Sequence, residues 1–195
     1  MAYIGMKYVV AAKLATETPG SPVTYTTGGM VIGKAISGNV TWNRNDNPLR
    51  ADDSDAENDN SITGGKIDLG LDDLTDDARV FLLGDKMIAG TGDNPATYET
   101  GDAAAPYVGF GFIRVRRKTG ATTYQTFWFH KAQFGEASEE AKTKGENIEW
   151  QTPTLTGRIM GVQNYSTMET NFRQRATFDT EAAARAWLNT KAGIS

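Results

Sequence analysis

The sequence predicts a mainly β fold of the α+β class: a β-sandwich or barrel of about seven strands, with a short packed helix beside it and a C-terminal helix. Three observations predict it. Tyr107 to Arg116 and Thr122 to Phe134 are rich in aromatic and β-branched residues and flank the short turn Lys118-Thr119-Gly120-Ala121, so a hairpin is the simplest geometry. Residues 36–43, 66–71 and 147–151 alternate apolar with polar side chains, as half-buried strands do. Two stretches, near Thr75 and near Asp179, carry helix start signals followed by a glycine stop.

Taken in order, Met6 to Ala12 is the opening strand, and Thr16 to Thr27 is a loop in which Pro19, Gly20 and Pro22 prevent regular structure. Gly28 to Gly38 is a short apolar segment broken by glycines. Ile36, Gly38, Val40 and Trp42 then alternate with Ser37, Asn39, Thr41 and Asn43. From Arg44 to Asn60 the composition shifts to Asn, Asp and Ser, which predicts a long loop too polar to pack within its own subunit. Lys66 to Leu71 is a strand with Ile67, Leu69 and Leu71 facing inward. Thr75 is the expected N-cap of the first helix, Asp76 and Asp77 sit where the helix dipole favours acids, and Gly84 is the stop. Val80, Phe81 and Leu83 supply its apolar side.

Residues 84–105 form a loop-rich connection with a short strand around Lys86 to Ala89. In the central hairpin, Tyr107, Ile113 and Val115 share one face, and Val108, Phe110 and Phe112 the other. Both faces are bulky, so both are covered, by this chain or by another subunit. Gly109 and Gly111 leave room on one face for a neighbouring backbone or ring. Ile148 and Trp150 belong to a strand that Pro153 interrupts and Leu155 to Met160 continues. Gly161 to Thr177 is polar and weakly patterned. Asp179 is the expected cap of a helix from Thr180 to about Asn189, with Ala184, Trp187 and Leu188 on one side and Gly193 beyond its end. The predicted division is a β-domain over residues 1–160, then a linker and C-terminal helix over 161–195.

The 195 residues are enough for one domain with a real core, and the absence of cysteine excludes disulfides and thiolate metal sites. The start of the chain shows no signal-peptide pattern, and no stretch approaches a membrane span, so a soluble chain without a visible export signal is expected. Net charge is −4, unevenly spread: residues 46–85 hold 12 of the 24 acids against Arg50, Lys66 and Arg79, a local balance of −9 that leaves +5 elsewhere. Opposite blocks on one small protein suit contact between identical copies.

Catalytic and ligand motifs are incomplete. Gly28 to Ala35 fits G-x-x-x-x-G-K, but Ala35 lacks the hydroxyl that would hold magnesium, and a strand pattern follows in place of a helix. Asp53 to Asp59 places acids as a calcium loop does, yet Asn58 and Gly64 stand where an EF-hand needs glycine and glutamate. His130 is the only histidine, too few for a multi-histidine metal site. The pairs Asp72-Asp73, Asp76-Asp77 and Glu139-Glu140 suit hydrolysis on paper, but turn, cap and surface roles account for them. Arg114, Arg116, Arg117 and Lys118 form a basic cluster beside aromatic residues. That composition suits a nucleic-acid groove, or contact with the acids of residues 46–59 on a neighbouring subunit, the preferred reading. No catalytic residue, cofactor or metal ligand is assigned, and no enzyme activity is expected.

The runs Gly109-Phe110-Gly111-Phe112-Ile113-Arg114-Val115-Arg116-Arg117 and Ala141-Lys142-Thr143-Lys144-Gly145-Glu146-Asn147-Ile148-Glu149-Trp150-Gln151-Thr152-Pro153 resemble the major tail protein family of long, non-contractile-tailed phages of Gram-positive bacteria. The resemblance extends over most of residues 1–170, through Leu49-Arg50-Ala51-Asp52-Asp53 and Asp72-Asp73-Leu74-Thr75-Asp76, and weakens after Met160. It implies a tail-tube-like fold and a virion structural role: hexameric rings that self-assemble and stack into the tail tube, a conduit for DNA ejection. Its implied partners are further copies of the chain and the tape measure, tail terminator and baseplate proteins. DNA would pass without specific binding, with no membrane involved, and the protein would reside in the virion tail after viral tail assembly in the host cytoplasm. The family's loop corresponding to residues 44–60 reaches neighbouring subunits, which makes Leu49, Arg50, Asp52, Asp53 and Asp55 expected subunit contacts; Arg114 and Arg116, from the basic cluster, are the expected contacts that meet such acids. The alternative reading is a receptor- or carbohydrate-binding β-sandwich module with its site in that loop, and a third is a hydrolase using the paired acids.

Overall fold

A computed structural model describes residues 2–51, 54–88, 96–98, 104–118, 120–138, 152–163 and 169–194. In chain order the elements are β1 (Ala2–Thr16), β2 (Thr24–Tyr25), β3 (Met30–Gly33), β4 (Ala35–Arg44), β5 (Asn47–Ala51), β6 (Ser54–Asp59), β7 (Ile62–Leu71), α1 (Asp76–Leu82), β8 (Lys86–Ile88), β9 (Ala96–Tyr98), β10 (Val108–Lys118), β11 (Ala121–Ser138), β12 (Thr154–Met160), β13 (Val162–Gln163), β14 (Thr170–Asn171), β15 (Arg173–Phe178) and α2 (Glu181–Ala192). The fold is mainly β with two short helices. The sandwich or barrel of about seven strands gives way to one open antiparallel sheet of nine strands, ordered β2-β1-β10-β11-β12-β7-β4, with β3 added beside β1 and β15 beside β11.

One sheet suffices because it curls around its own core. Val9 and Ala11 of β1, Phe110 and Phe112 of β10, Leu155 and Ile159 of β12, and Ile67, Leu69 and Leu71 of β7 all enter a single buried cluster. Phe110 stacks on Phe129 with ring centroids 4.6 Å apart, and Phe134 meets Phe110 edge on. α1 adds Ala78 and Leu82 to this cluster. It starts at Thr75, whose hydroxyl accepts the Ala78 N–H, and ends before Gly84 at φ +82°.

The hairpin of β10 and β11 is the spine. Lys118 pairs with Ala121 across the turn, and Gly120 takes the left-handed conformation there. β11 changes neighbours along its length: Tyr124 to Phe129 pair with β15, and Lys131 to Ser138 with β12. The change falls at a one-residue bulge, where Val108 pairs with Ala132 but Phe110 with Phe129. An extra residue reverses which face alternate side chains point to. Phe127 and Phe129 therefore serve the same core as Ala132 and Phe134, although they have opposite parity.

The other face of the hairpin is covered by this chain's own C-terminal helix. Ala184, Leu188 and Ala192 of α2 pack on Val10, Ala12, Ile113 and Trp128. Gly111 permits that approach: a Cβ there would lie 2.6 Å from the Phe127 carbonyl oxygen and 2.7 Å from Leu188 Cδ2. At Gly109 the missing side chain makes room for the Tyr25 and Trp128 rings. Thr180, one residue after the expected Asp179, is the N-cap, and Gly193 closes the helix at φ +65°.

Residues 161–195 are therefore more than a linker and a helix. β13 and β14 pair with each other, and β15 joins the main sheet beside β11. Its pattern is weak because Arg173, Gln174, Arg175 and Thr177 are polar on both sides of the strand. The 44–60 stretch also departs from a loop. β5 and β6 form a hairpin whose ladder, from Asn47↔Asp59 to Ala51↔Ser54, continues that of β4 and β7. The Asn45 N–H donates to the Ser61 carbonyl at the junction. Extension of an existing ladder satisfies the backbone where side-chain burial gives no signal. The expected strand around Ile148 and Trp150 lies outside the described residues.

α2 is clamped to β1 at a second bulge. Tyr8, at φ 57°, has a left-handed backbone, and its hydroxyl donates to Asn189 Oδ1 at 2.6 Å. Lys7 Nζ lies 2.7 Å from Glu181 Oε2, and Arg185 donates to Glu181 Oε1 from Nε and Nη2. These bonds, Lys7's first and then Arg185's, hold the Glu181 carboxyl below its ordinary value of 4.5. A depressed carboxylate stabilises the fold above the ordinary value, and that contribution is lost as pH falls through the depressed one. Stability should thus decline on acidification below about pH 4.5. Glu181→Gln should make that decline shallower, as read from denaturant midpoints along an acid series.

Candidate subunit-contact site

The curled sheet does not close. Among the described residues β4 pairs only with β7, and the Ala2 to Lys7 part of β1 pairs only with β10. The two free edges meet where the Met6 thioether lies against Gly38, at which a Cβ would stand 2.4 Å from the sulfur. Beside that contact they leave a cleft of about 470 Å³. Phe112 and Phe127 line it, and Tyr3 and Trp42 stand at its sides.

Two arginines enter the cleft from different strands. Arg114 of β10, opposite Met6 in the ladder, lays its guanidinium 3.6 Å from the Tyr3 ring centre. Arg173 of β15 sits 4.9 Å from the centre of Trp42 and 5.3 Å from that of Phe127. Guanidinium groups stack well on aromatic faces, which hold them without neutralising them. Burial, and then the neighbouring Arg175 and Arg114 cations, push the Arg173 pKa down. Among the described residues neither Arg114 nor Arg173 has a carboxylate partner. Arg116, opposite Tyr3 in the ladder, has its guanidinium 5.8 Å from the same ring.

Arg114 and Arg116, the expected contacts on β10, are thus brought together on either side of Tyr3. Leu49 and Arg50 lie on β5 and Asp55 on β6, in the arm beyond β4 and β7; Asp52 and Asp53 lie outside the described residues. Arg173 is not legible in the sequence, because its segment is polar on both faces and becomes a strand only by pairing with β11.

The remaining motifs take structural positions. Gly28 to Ala35 forms strand β3 and the start of β4, so a strand and not a helix follows that loop, and the Lys34 N–H donates to Asp72 Oδ1 at 2.8 Å. Asp76 and Asp77 occupy the first turn of α1. Glu139 and Glu140 lie outside the described residues. Asp59 accepts from Asn45 and from the Ser61 N–H, which hold its carboxyl below the usual range. Among the described residues no group of three or more acids or histidines is placed to hold a metal. His130, at the β11 bulge, has its pKa pushed down by burial and then by the Lys191 cation. Its carbonyl accepts from the Tyr25 hydroxyl. No helix among the described residues is long and apolar enough to cross a membrane. In comparisons with known proteins, no family model matches this chain, and no curated protein matches it either.

Proposed function

We propose that the protein is a structural subunit of a phage tail tube, a major tail protein whose copies close into hexameric rings and stack into the conduit for DNA delivery. The observation that best supports this is the pair of free strand edges, β4 and the first half of β1, which carry exposed apolar residues. Ile36 is 55% exposed, Ile4 56% and Tyr3 49%. Long edges of this kind invite pairing with another chain, and a ring of identical subunits covers them. The arm of β5 and β6 projects from the same side of the sheet as β4, where it can reach a neighbour.

The ring number and the partners named above rest on the sequence resemblance. The mechanism is mechanical: edge pairing closes the ring, a separate pair of faces stacks the rings, and a lumen that does not attract phosphate lets DNA pass. Negative-stain microscopy of the purified protein over a range of concentrations tests this. Rings or tubes with a central hole are expected. Compact monomers at every concentration, combined with saturable binding of a glycan or receptor fragment, would overturn it in favour of a binding module.

A further inference from the structure

The arginine cleft concentrates positive charge between aromatic walls. Two guanidinium groups from different strands converge on a space of about 470 Å³, within the usual range for a ligand pocket. They are held in place by Tyr3, Trp42 and Phe127, and neither has a carboxylate partner among the described residues. Like charges placed together in a half-buried cleft repel each other, and an oxyanion between them reverses the sign of that interaction.

We propose that this cleft is a carboxylate-binding site, formed by Arg114 and Arg173, which takes an acidic side chain from the 46–59 arm of a second copy of this chain. This rests on the reading of the protein as a self-assembling subunit and names the receiving site for its arm. Charge complementarity identifies the occupant: Asp52, Asp53, Asp55 and Glu57, in the outer part of the arm, fall within six residues that hold no base. The outer part of the arm cannot reach its own cleft. Its ladder is paired from the β4 and β7 junction to Ala51↔Ser54, so at about 3.3 Å per residue its end stands roughly 30 Å along the strand from Trp42. The site therefore acts between copies, with the aromatic walls setting the position of the arginines and the arginines selecting an acid.

The test titrates the full-length chain, diluted until it is monomeric, with a synthetic peptide of residues 46–60, following tryptophan emission. Trp42→Phe assigns the signal to the cleft. A saturable change is expected, weakened at least tenfold in Arg114→Gln and in Arg173→Gln, and weakened likewise when the peptide's acids are replaced by their amides. Both variants should keep the parent melting temperature within a few degrees, which separates lost binding from lost folding. No change at millimolar peptide, equal binding by the arginine variants, or an equal response to inorganic phosphate would overturn the proposal. Rings that form while the peptide fails to bind would sink the cleft and leave the tube reading standing. Peptide binding without rings would do the reverse.

Discussion

Trp128→Ala should lower the free energy of unfolding by about 3–5 kcal/mol, the range for truncating a large buried aromatic. Trp128 is fully buried at the centre of the layer between the β10 and β11 hairpin and α2. Gly109 and Gly111 have no side chains to fill the space it would vacate, and added Cβ atoms there would lie 2.7 and 2.9 Å from its ring. Its indole N–H donates to the Tyr25 hydroxyl at 3.1 Å, which in turn donates to the His130 carbonyl at 2.9 Å. The Tyr25 ring meets the indole edge on, with centroids 5.2 Å apart. The substitution therefore leaves a cavity and loosens β2, whose Tyr25 pairs with Leu14 of β1. Trp128→Phe should cost less, since most of the ring volume remains and Tyr25 keeps its carbonyl acceptor. Urea midpoints at an unchanged slope check both, and a loss below about 1 kcal/mol for the alanine variant would mean that the layer repacks freely.

A chain ending at Asp179 should fail to fold cooperatively. Without α2, Val10, Ala12, Ile113 and Trp128 lose their cover, and Leu188, Ala184 and Ala192 are gone. Burial of each large apolar side chain contributes about 1.5–3 kcal/mol, so the sum is comparable with the whole stability of a domain, about 5–15 kcal/mol. The truncated chain should show a broad, non-cooperative thermal transition. Leu188→Ala, a milder cut into the same layer, should cost about 2–5 kcal/mol and remain folded. A sharp transition near that of the full chain would show instead that α2 is an appendage.

The sequence showed most where local chemistry decides the outcome. Thr75, Gly84, Gly120 and Gly193 took their expected roles, because caps and tight turns depend on a few neighbouring atoms. The two-faced burial of Val108 to Val115 followed from alternation alone. The closeness of other chain segments to Gly109 and Gly111 was also legible, though not that Tyr25 and Leu188 would be the neighbours. Pairing over long distances left no local trace. β5 and β6 are strands because β4 and β7 extend into them, which polar residues neither announce nor prevent. β15 is a strand because β11 offers it an edge, and so Arg173 reaches the cleft from a stretch that looked like a connection. The Arg114 and Arg116 half of the candidate site could be read from alternation along one strand. Its aromatic walls depended on the curl of the whole sheet.

That curl also sets a schedule. β1 leaves the ribosome about a hundred residues before its partner β10, with Lys13 opposite Val108 and Ala2 opposite Arg117. At roughly 5–20 residues per second, it must wait about 5–20 s before its partner exists. For that interval, among the described residues, Val9, Val10 and Ala11 have only the short β3 to pair with. The cover for Val10 and Ala12 arrives later still, with α2. A nascent chain of this design remains adhesive until α2 has been made, so the rate of synthesis and the supply of chaperones govern how much of it reaches the folded state.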